Sequence, residues 1–339
     1  MSPRRAVLQG ITVRPDTHPG LWMDAYLLNE AAGAKAETMR QAVEGKSAPD
    51  GYRQAFERWF RSFDLAIAAK TAQVETAETQ GRLVIGLGNK SVLEMGIRLD
   101  HTWGVPILPG SALKGLASRT AHLDAGAGSG WNRPGKDLKQ AAGDHNAFLF
   151  GTTENSGAVI FHDAWWDPES RAGPLELDVM TVHHPAYYQD GHAPPSDMDS
   201  PNPVSFVTAT GKFSIVLEAR PGVDPTWLST AFQLLAHGLE QHGLGAKTNA
   251  GYGRMKLKSG GTASVGPSAA EQRAEWFAKV DISKPGDVAG LVPALEKLPV
   301  TVQREIAQKL LAKHKDLVKA KAEKEYIKKL RAMAEAATP

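Results

Sequence analysis

The order of the predicted elements between residues 92 and 258 constrains the fold of this chain more than any other feature. Apolar and polar residues alternate in four stretches, which predicts four strands with one buried face: 92–99, 158–166, 213–218 and 252–258. Apolar residues at helical spacing predict two helices, one with Ser111 as its N-cap and one that follows Asp224 and Pro225. The order is therefore strand, helix, strand, strand, helix, strand.

This is the order of the ferredoxin-like, RRM-like βαββαβ fold. We therefore predict an α+β module over residues 81–258. An insertion at about 167–205 separates the two central strands of this module. The insertion contains seven prolines and is too long for a simple connection. The flanking predictions are an irregular and then helical part packed on the core at 1–80, a linker at 259–268 and a helical C-terminal extension at 269–339.

The glycine-rich stretch GLGAKTNAGYGR, residues 243–254, raises the question of a phosphate site. A nucleotide-binding P-loop needs Gly directly before Lys, and a helix after the loop. Here Ala246 separates Gly245 from Lys247, and the predicted helix precedes the loop while a strand follows it. The glycine loop at 86–91 is likewise followed by a predicted strand, which excludes a dinucleotide fingerprint.

Three polar features on one module favour RNA that is bound through its backbone. Glycine-rich loops expose backbone N–H groups, a helix N-terminus attracts phosphate, and an aromatic ring can stack a base. The candidates are Gly243, Gly245, Lys247, Thr248, Asn249, Tyr252 and Arg254 in the second loop, Asn89, Lys90 and Ser91 in the first loop, and Ser111 and Lys114 at the helix start.

Charge and composition limit the classes of function. The formal net charge of +2 argues against strong nucleic-acid binding by the chain alone, and favours local basic loops acting within an assembly. The absence of cysteine excludes disulfides, zinc knuckles and thiol catalysis.

No apolar run reaches the ~20 residues that span a bilayer, and no signal peptide is recognisable, so we expect a cytoplasmic protein. The basic stretch 304–331 is typical of a solvated helical face, with contact to RNA or a partner as the alternative.

The insertion contains residues that could support catalysis. An Asp could bind a divalent ion for RNA hydrolysis, or a His could act as a general base. No spacing on a regular element fixes such a geometry, so we predict no catalytic residue and no metal or cofactor. The residues concerned are Asp178, His183, His184, Asp190, His192, Asp197 and Asp199.

Paired aromatic residues offer a second use for this region. We expect one ring of Trp165–Trp166, and one of Tyr187–Tyr188, to pack inward and the other to be free for a partner. The residues predicted to contact RNA or a neighbouring subunit in the insertion are Met180, His183, His184, Tyr187 and Tyr188.

Four motifs together resemble the RAMP superfamily, the repeat-associated mysterious proteins of CRISPR systems. They are VLEMGIRLDHTWGVPILPGSALKG from residue 92, LFG and GAVIFHDAWW from residues 149 and 157, LDVMTVHHPAYYQDG from residue 177, and GLGAKTNAGYGRM from residue 243. Within the superfamily, the combination is most similar to the family of the sixth RAMP subunit of the type III-B Cmr effector complex. The resemblance covers about residues 80 to 257.

This resemblance implies a ferredoxin-like RNA-recognition module with insertions, in a ribonucleoprotein of antiviral defence. The implied partners are the CRISPR guide RNA near its 3′ end, the target RNA, and the other Cmr and RAMP subunits, without a membrane. The resemblance supplies no catalytic residue, and in such complexes cleavage belongs to other subunits. A RAMP-superfamily endoribonuclease that processes guide RNA or cleaves target RNA is the alternative.

Overall fold

The chain forms two compact units, which are described separately. The computed structural model describes residues 8, 10–29, 31–124, 130–134, 141–171, 173–182, 184, 187, 194, 196–199, 201–258, 292, 295–296, 300–313 and 324–335. The units are Met1–Ser264 and Val265–Pro339. None of the helices in these described ranges is long and apolar enough to cross a membrane.

The first unit combines helices with an antiparallel sheet and a separate hairpin. Its described helices are α1 (Pro19–Ala25), α2 (Ala32–Val43), α3 (Tyr52–Arg61), α4 (Asp64–Ala68), α5 (Gly110–Asp124), α6 (Asp144–Phe150) and α7 (Thr226–Gln241). Its described strands are β1 (Ala72–Thr79), β2 (Ile107–Leu108), β3 (Val159–Phe161), β4 (Ala164–Trp166), β5 (Leu175–Val182), β6 (Asn202–Ala209), β7 (Lys212–Ala219) and β8 (Met255–Lys258). The predicted α+β class is therefore confirmed.

The main sheet has the order β2-β4-β7-β1-β8, and β3 also pairs with β7. All of these pairings are antiparallel. Helices α5 and α7 pack against each other, and α7 also contacts β3, β7 and β8. Strand β7 lies within the sheet and is buried on both faces, because Ser214 and Val216 are as inaccessible as Phe213, Ile215 and Leu217. The predicted half-buried alternation in this strand is therefore wrong, although the strand itself is confirmed.

The sequence does not predict strand β1, because the pattern of residues 1–80 indicates irregular and helical structure. Its residues Ala72 to Glu78 pair with β7, and Thr76 to Thr79 pair with β8. The first and last strands of the main sheet are therefore neighbours. The aromatic helix expected near Phe56 and Trp59 is present, but it is divided into α3 and α4.

The strand predicted at 92–99 is wrong, because residues 92–95 form turns and, within this range, only Leu99 makes a β-bridge, with Pro106. Glu94 has a φ of 69°, and the chain folds back so that the Gly96 N–H donates to the Leu87 carbonyl at 3.1 Å. The apolar alternation arises because this segment packs on a small core with α1 and α2, and not because it lies in a sheet. Its members include Leu93, with Met95, Ile97 and Leu99 packed against the cluster.

The two predicted helices begin at residues other than those expected, and one predicted strand is divided in two. Helix α5 begins at Gly110 rather than after Ser111, and its Gly110 N–H donates to Asp163 Oδ1 at 2.7 Å, so the cap comes from a distant residue. Helix α7 begins at Thr226, one residue later than predicted, and Asp224 still accepts the Thr226 N–H at 2.9 Å. The strand predicted at 158–166 is two short strands, β3 and β4.

The insertion contains a long β-hairpin. Strands β5 and β6 pair from Leu175 with Ala209 to Val182 with Asn202. Helix α2 contacts both strands, and Leu175 and Val207 belong to the small core beneath them. A bridge between Leu83 and Ala209 links the base of the hairpin to the segment that follows β1. The hairpin is therefore fixed at its base by the N-terminal helices and by residues near 83.

The second unit contains α8 (Val300–Lys313) and α9 (Glu325–Glu335), which pack against each other. Their apolar residues form a core of their own, composed of Val292, Leu295, Ile306, Ala307, Leu310, Ile327 and Leu330. The helical character predicted for the C-terminal extension is therefore present in its described parts. The predicted linker at 259–268 lies outside the described residues.

Candidate nucleic-acid interface

The glycine-rich loop 243–254 is a folded element that is docked on the segment after β1. Gly243 and Gly251 have φ values of 76° and 91°, which favour glycine, and Lys247 adopts the left-handed region at 57°. The Ala246 N–H donates to the Val84 carbonyl at 2.7 Å, and the Gly253 N–H donates to the Arg82 carbonyl at 2.9 Å. Both bonds to residues 82–84 hold the loop in one conformation.

Lys247 and its neighbours are the donors that this loop leaves available. Within the described residues, the Lys247 side chain makes no hydrogen bond or ion pair. Asn249 is exposed, and Thr248 is half-buried in a short 3-10 turn. A cation and two polar side chains on a rigid glycine-rich loop are suited to a phosphate group.

Arg254 has a structural partner instead. Its Nη1 donates to the Glu240 carbonyl at 2.7 Å, which satisfies one of the unpaired carbonyls at the C-terminus of α7. The basic group is therefore already engaged, and its contribution to RNA binding stays a prediction.

Tyr252 joins the loop to the hairpin. Its ring lies edge-on to Phe206 of β6, with ring centroids 5.8 Å apart, and its hydroxyl donates to Asp178 Oδ2 of β5 at 2.8 Å. Arg82 reaches the same strand, with Nε 2.8 Å from Glu176 Oε2 and Nη1 2.9 Å from Asp178 Oδ2. We call Arg82, Glu176, Asp178, Phe206 and Tyr252 the hairpin junction.

The electrostatics of the hairpin junction favour an ionised Asp178. Partial burial opposes its charge, but hydrogen bonds from Tyr252, the Val179 N–H and Arg82 outweigh burial and hold the pKa of Asp178 below its usual range. Burial and the same carboxylate raise the pKa of the Tyr252 hydroxyl. Tyr252 is therefore a neutral donor to a permanent anion at neutral pH.

Removing the Asp178 carboxylate should loosen the hairpin. In Asp178→Ala the Tyr252 hydroxyl loses its acceptor, which we expect to lower local stability by about 1–3 kcal/mol. Arg82 and Glu176 are both 42% exposed, so their ion pair offsets little of this loss. Amide hydrogen exchange of β5 and β6 measures the effect, with Asp197→Ala at an exposed position as the control. Equal protection of β5 and β6 from exchange in Asp178→Ala and Asp197→Ala would contradict the role of Asp178 in fixing the hairpin.

The first glycine loop begins at Gly86, two residues after Val84, the carbonyl of which accepts the Ala246 N–H of the second loop. The Asn89 N–H donates to the Gly86 carbonyl at 3.0 Å, two residues beyond Val84. Ser91 Oγ accepts the Leu93 N–H at 3.1 Å, and Lys90 is exposed. The start of the first loop therefore lies near the residue on which the second loop is docked.

The third feature faces a different cavity. Ser111 and Lys114 line a cavity of about 720 Å³ together with Arg133 and Arg220, whereas Asn89, Lys90 and Ser91 line another one. Arg133 and Arg220 were not predicted, because nothing in their local sequence places them near the start of α5.

The structure describes only some of the residues that the sequence singles out in the insertion. Met180 is half-buried in β5 and Tyr187 is exposed, whereas His183 and Tyr188 lie outside the described residues. His184 Nδ1 lies 2.8 Å from Asp199 Oδ2, and this contact lowers the pKa of Asp199. Asp190 and His192 also lie outside the described residues. Among the described residues, no group of three or more His, Asp or Glu side chains converges as a metal site would.

The expectation of a free tryptophan is wrong for the pair at 165–166. Trp166 is buried and donates its indole N–H to the Thr210 carbonyl at 2.8 Å. Trp165 is stacked between Tyr52 and Trp59, with ring centroids 6.0 and 5.3 Å away. Both rings serve packing within the first unit.

Comparison with known proteins finds similar sequences and structures among CRISPR proteins. A protein from Pyrococcus furiosus, the CRISPR system Cmr subunit Cmr6, is 31% identical over 256 residues, and the match covers 61% of this chain and 74% of the relative. The crystal structure of Cmr6 from Pyrococcus furiosus matches 55% of this chain and 98% of its own, at 31% identity and a TM-score of 0.35. A chain in the cryo-EM structure of the type III-B Cmr-beta bound to cognate target RNA matches 67% of this chain and 71% of its own, at 21% identity and a TM-score of 0.48.

The family model of the RAMP superfamily matches residues 76–256. This range begins within β1 and ends within β8, so it includes the main sheet, the hairpin and both glycine loops. The chain therefore belongs to the RAMP superfamily.

Proposed function

We propose that this chain is a non-catalytic, RNA-binding subunit of a type III-B Cmr effector complex. The observation that carries the proposal is the 31% identity to a Cmr6 subunit over 256 residues. In this proposal the chain acts in the cytoplasm, holds the guide RNA near its 3′ end and contacts the target RNA together with other Cmr and RAMP subunits. The modest net charge supports binding within an assembly over strong binding alone.

The proposal includes a ferredoxin-like core that starts earlier than the sequence predicts. In this interpretation β1 is the first strand, α5 the first helix, β3 with β4 the second strand, β7 the third, α7 the second helix and β8 the fourth. The antiparallel pairing of β1 with both β7 and β8 supports it. The domain with this core would begin at about residue 72 instead of 81.

The RNA backbone would follow the two glycine loops. Lys247, Thr248 and Asn249 would contact phosphates together with the backbone at Gly243 and Gly245, and Asn89, Lys90 and Ser91 would continue the path. Support comes from the hydrogen bonds that dock the second loop on residues 82–84, directly before the first loop begins. Ser111 and Lys114 would form a second contact in their separate basic cavity. The distal part of the hairpin, with Met180, His184 and Tyr187, would contact RNA or a neighbouring subunit.

Removing the free cation of the second loop should weaken RNA binding without unfolding the protein. In Lys247→Ala one phosphate contact is lost, so we expect the slope of log affinity against log salt to fall by about one. Lys256→Ala, an exposed lysine on β8, is the matched control. Titration of each purified variant with single-stranded guide RNA at several salt concentrations measures the slope. An unchanged slope in Lys247→Ala would argue against a phosphate contact at this loop.

The same preparation separates a binding subunit from the alternative endoribonuclease. We expect guide precursor and target RNA to remain intact with Mg²⁺ or Mn²⁺. Cleavage that disappears in Asp178→Ala or His184→Ala would replace this proposal by the nuclease function.

A further inference from the structure

A cleft separates α1 from the turns that follow the first glycine loop. Its volume is about 410 Å³, within the range of cavities that hold small molecules. Leu21 of α1 lies on one wall, and Met95, Ile97 and Leu99 line it from the other side. Leu21 is 57% exposed, which makes it one of the most exposed large apolar side chains in the described part of the protein.

The cleft is held open by contacts on both sides. His18 accepts the Leu21 N–H at Nδ1 and lies 3.1 Å from the His101 carbonyl through Nε2, which ties the start of α1 to the opposite wall. Lys35 of α2 forms an ion pair with Glu94. Because the walls are fixed in this way, a ligand would bind without a large cost for ordering the protein.

Cations border the apolar surface. Lys90 and Arg98 both line the cleft and are exposed, and neither side chain bonds to another described residue. Of the two carboxylates that line it, Asp100 already accepts the backbone N–H groups of Thr102 and Trp103, and Asp24 is exposed. An apolar surface beside two free cations suits a nucleotide, whose base can pack against aliphatic side chains and whose phosphates attract positive charge.

We propose that this cleft holds one unstacked nucleotide of single-stranded RNA, with the base against Leu21 and the phosphates at Lys90 and Arg98. The inference rests on the proposed RNA-binding function and assigns to it a specific subsite. Asn89 to Ser91, which belong to the first glycine loop, also line the cleft. One wall is α1, which precedes the residues matched by the RAMP family model. The subsite is therefore completed by a part of the chain outside that match.

Photo-cross-linking of the full chain tests the subsite. Single-stranded RNA with 4-thiouridine, placed in turn in a repeat-derived guide and in a complementary target, is irradiated with the protein, and cross-linked peptides are identified by mass spectrometry. We expect cross-links within residues 18–24 and 89–101, and the RNA that gives them identifies the source of the nucleotide. Leu21→Glu should reduce these cross-links about tenfold, because it places a carboxylate where the base would pack against an apolar side chain.

Matched variants separate the subsite from general RNA binding. Leu65→Glu changes an even more exposed leucine on α4 and should leave the cross-links unchanged, whereas Lys90→Ala combined with Arg98→Ala should reduce them like Leu21→Glu. Cross-links at 243–254 with none in the cleft, or equal cross-linking by Leu21→Glu and Leu65→Glu, would overturn the subsite and leave the proposed function intact. No RNA cross-link anywhere in the chain would overturn both.

Discussion

Gly245→Ala should destabilise the first unit by about 2–5 kcal/mol, because two effects act at this position. Gly245 has a φ of 90°, a conformation that alanine adopts at a cost. A Cβ at Gly245 would also collide with the Val84 carbonyl oxygen, the acceptor of the Ala246 N–H. Relief of the collision would move the loop away from residues 82–84. Denaturant unfolding followed by tryptophan fluorescence measures the loss.

The control for this prediction is in the same loop. Gly251 has nearly the same φ, 91°, but a Cβ there would have open space around it. Gly251→Ala should therefore cost only the backbone strain, about 1–2 kcal/mol. Equal losses in the two variants would show that contact with Val84 does not fix the conformation of the loop.

Tyr52→Ala should cost about 3–5 kcal/mol, as expected for an aromatic side chain removed from a core. Tyr52 is 1% exposed and contacts the rings of Phe56, Trp103 and Trp165. It joins α3 to strand β4, since its hydroxyl donates to the Trp166 carbonyl at 2.6 Å. Burial also raises the pKa of this hydroxyl, so it remains a donor at all physiological pH values.

Tyr52→Phe separates packing from the hydrogen bond. The ring contacts stay and the bond to the Trp166 carbonyl is lost, which we expect to cost about 1 kcal/mol. The same fluorescence-monitored unfolding compares the two variants. If Tyr52→Phe were as damaging as Tyr52→Ala, the hydroxyl and not the aromatic cluster would be the main contribution of this residue.

The sequence predicts strands β3, β4, β7 and β8 and the long helices α5 and α7, and its two largest errors in the fold have physical causes. Strand β1 was missed because polar residues occupy its interior, including Glu75, which is 5% exposed and whose pKa is raised by burial. The segment 92–99 was mistaken for a strand because its apolar residues alternate. Alternation reports which side chains are buried, and it does not distinguish a sheet from a small core beneath a loop.

The candidate interface was predictable where it depends on neighbours in sequence. The glycine loops and the cation Lys247 are visible as local patterns. The hairpin junction is not, since Arg82 contacts residues 94 and 96 positions away and Tyr252 contacts Asp178 across 74 positions. The structure consequently gives Tyr252 and Arg254 internal partners that the sequence does not indicate.

The most direct test of the central claim is purification of the tagged full chain from its native host, with sequencing of bound RNA and identification of bound proteins. We predict repeat-derived guide RNA together with other Cmr and RAMP subunits, and guide RNA lost or shortened at the 3′ end in Lys247→Ala. Recovery of neither guides nor RAMP partners would contradict the account, and the glycine loops would then serve another ligand.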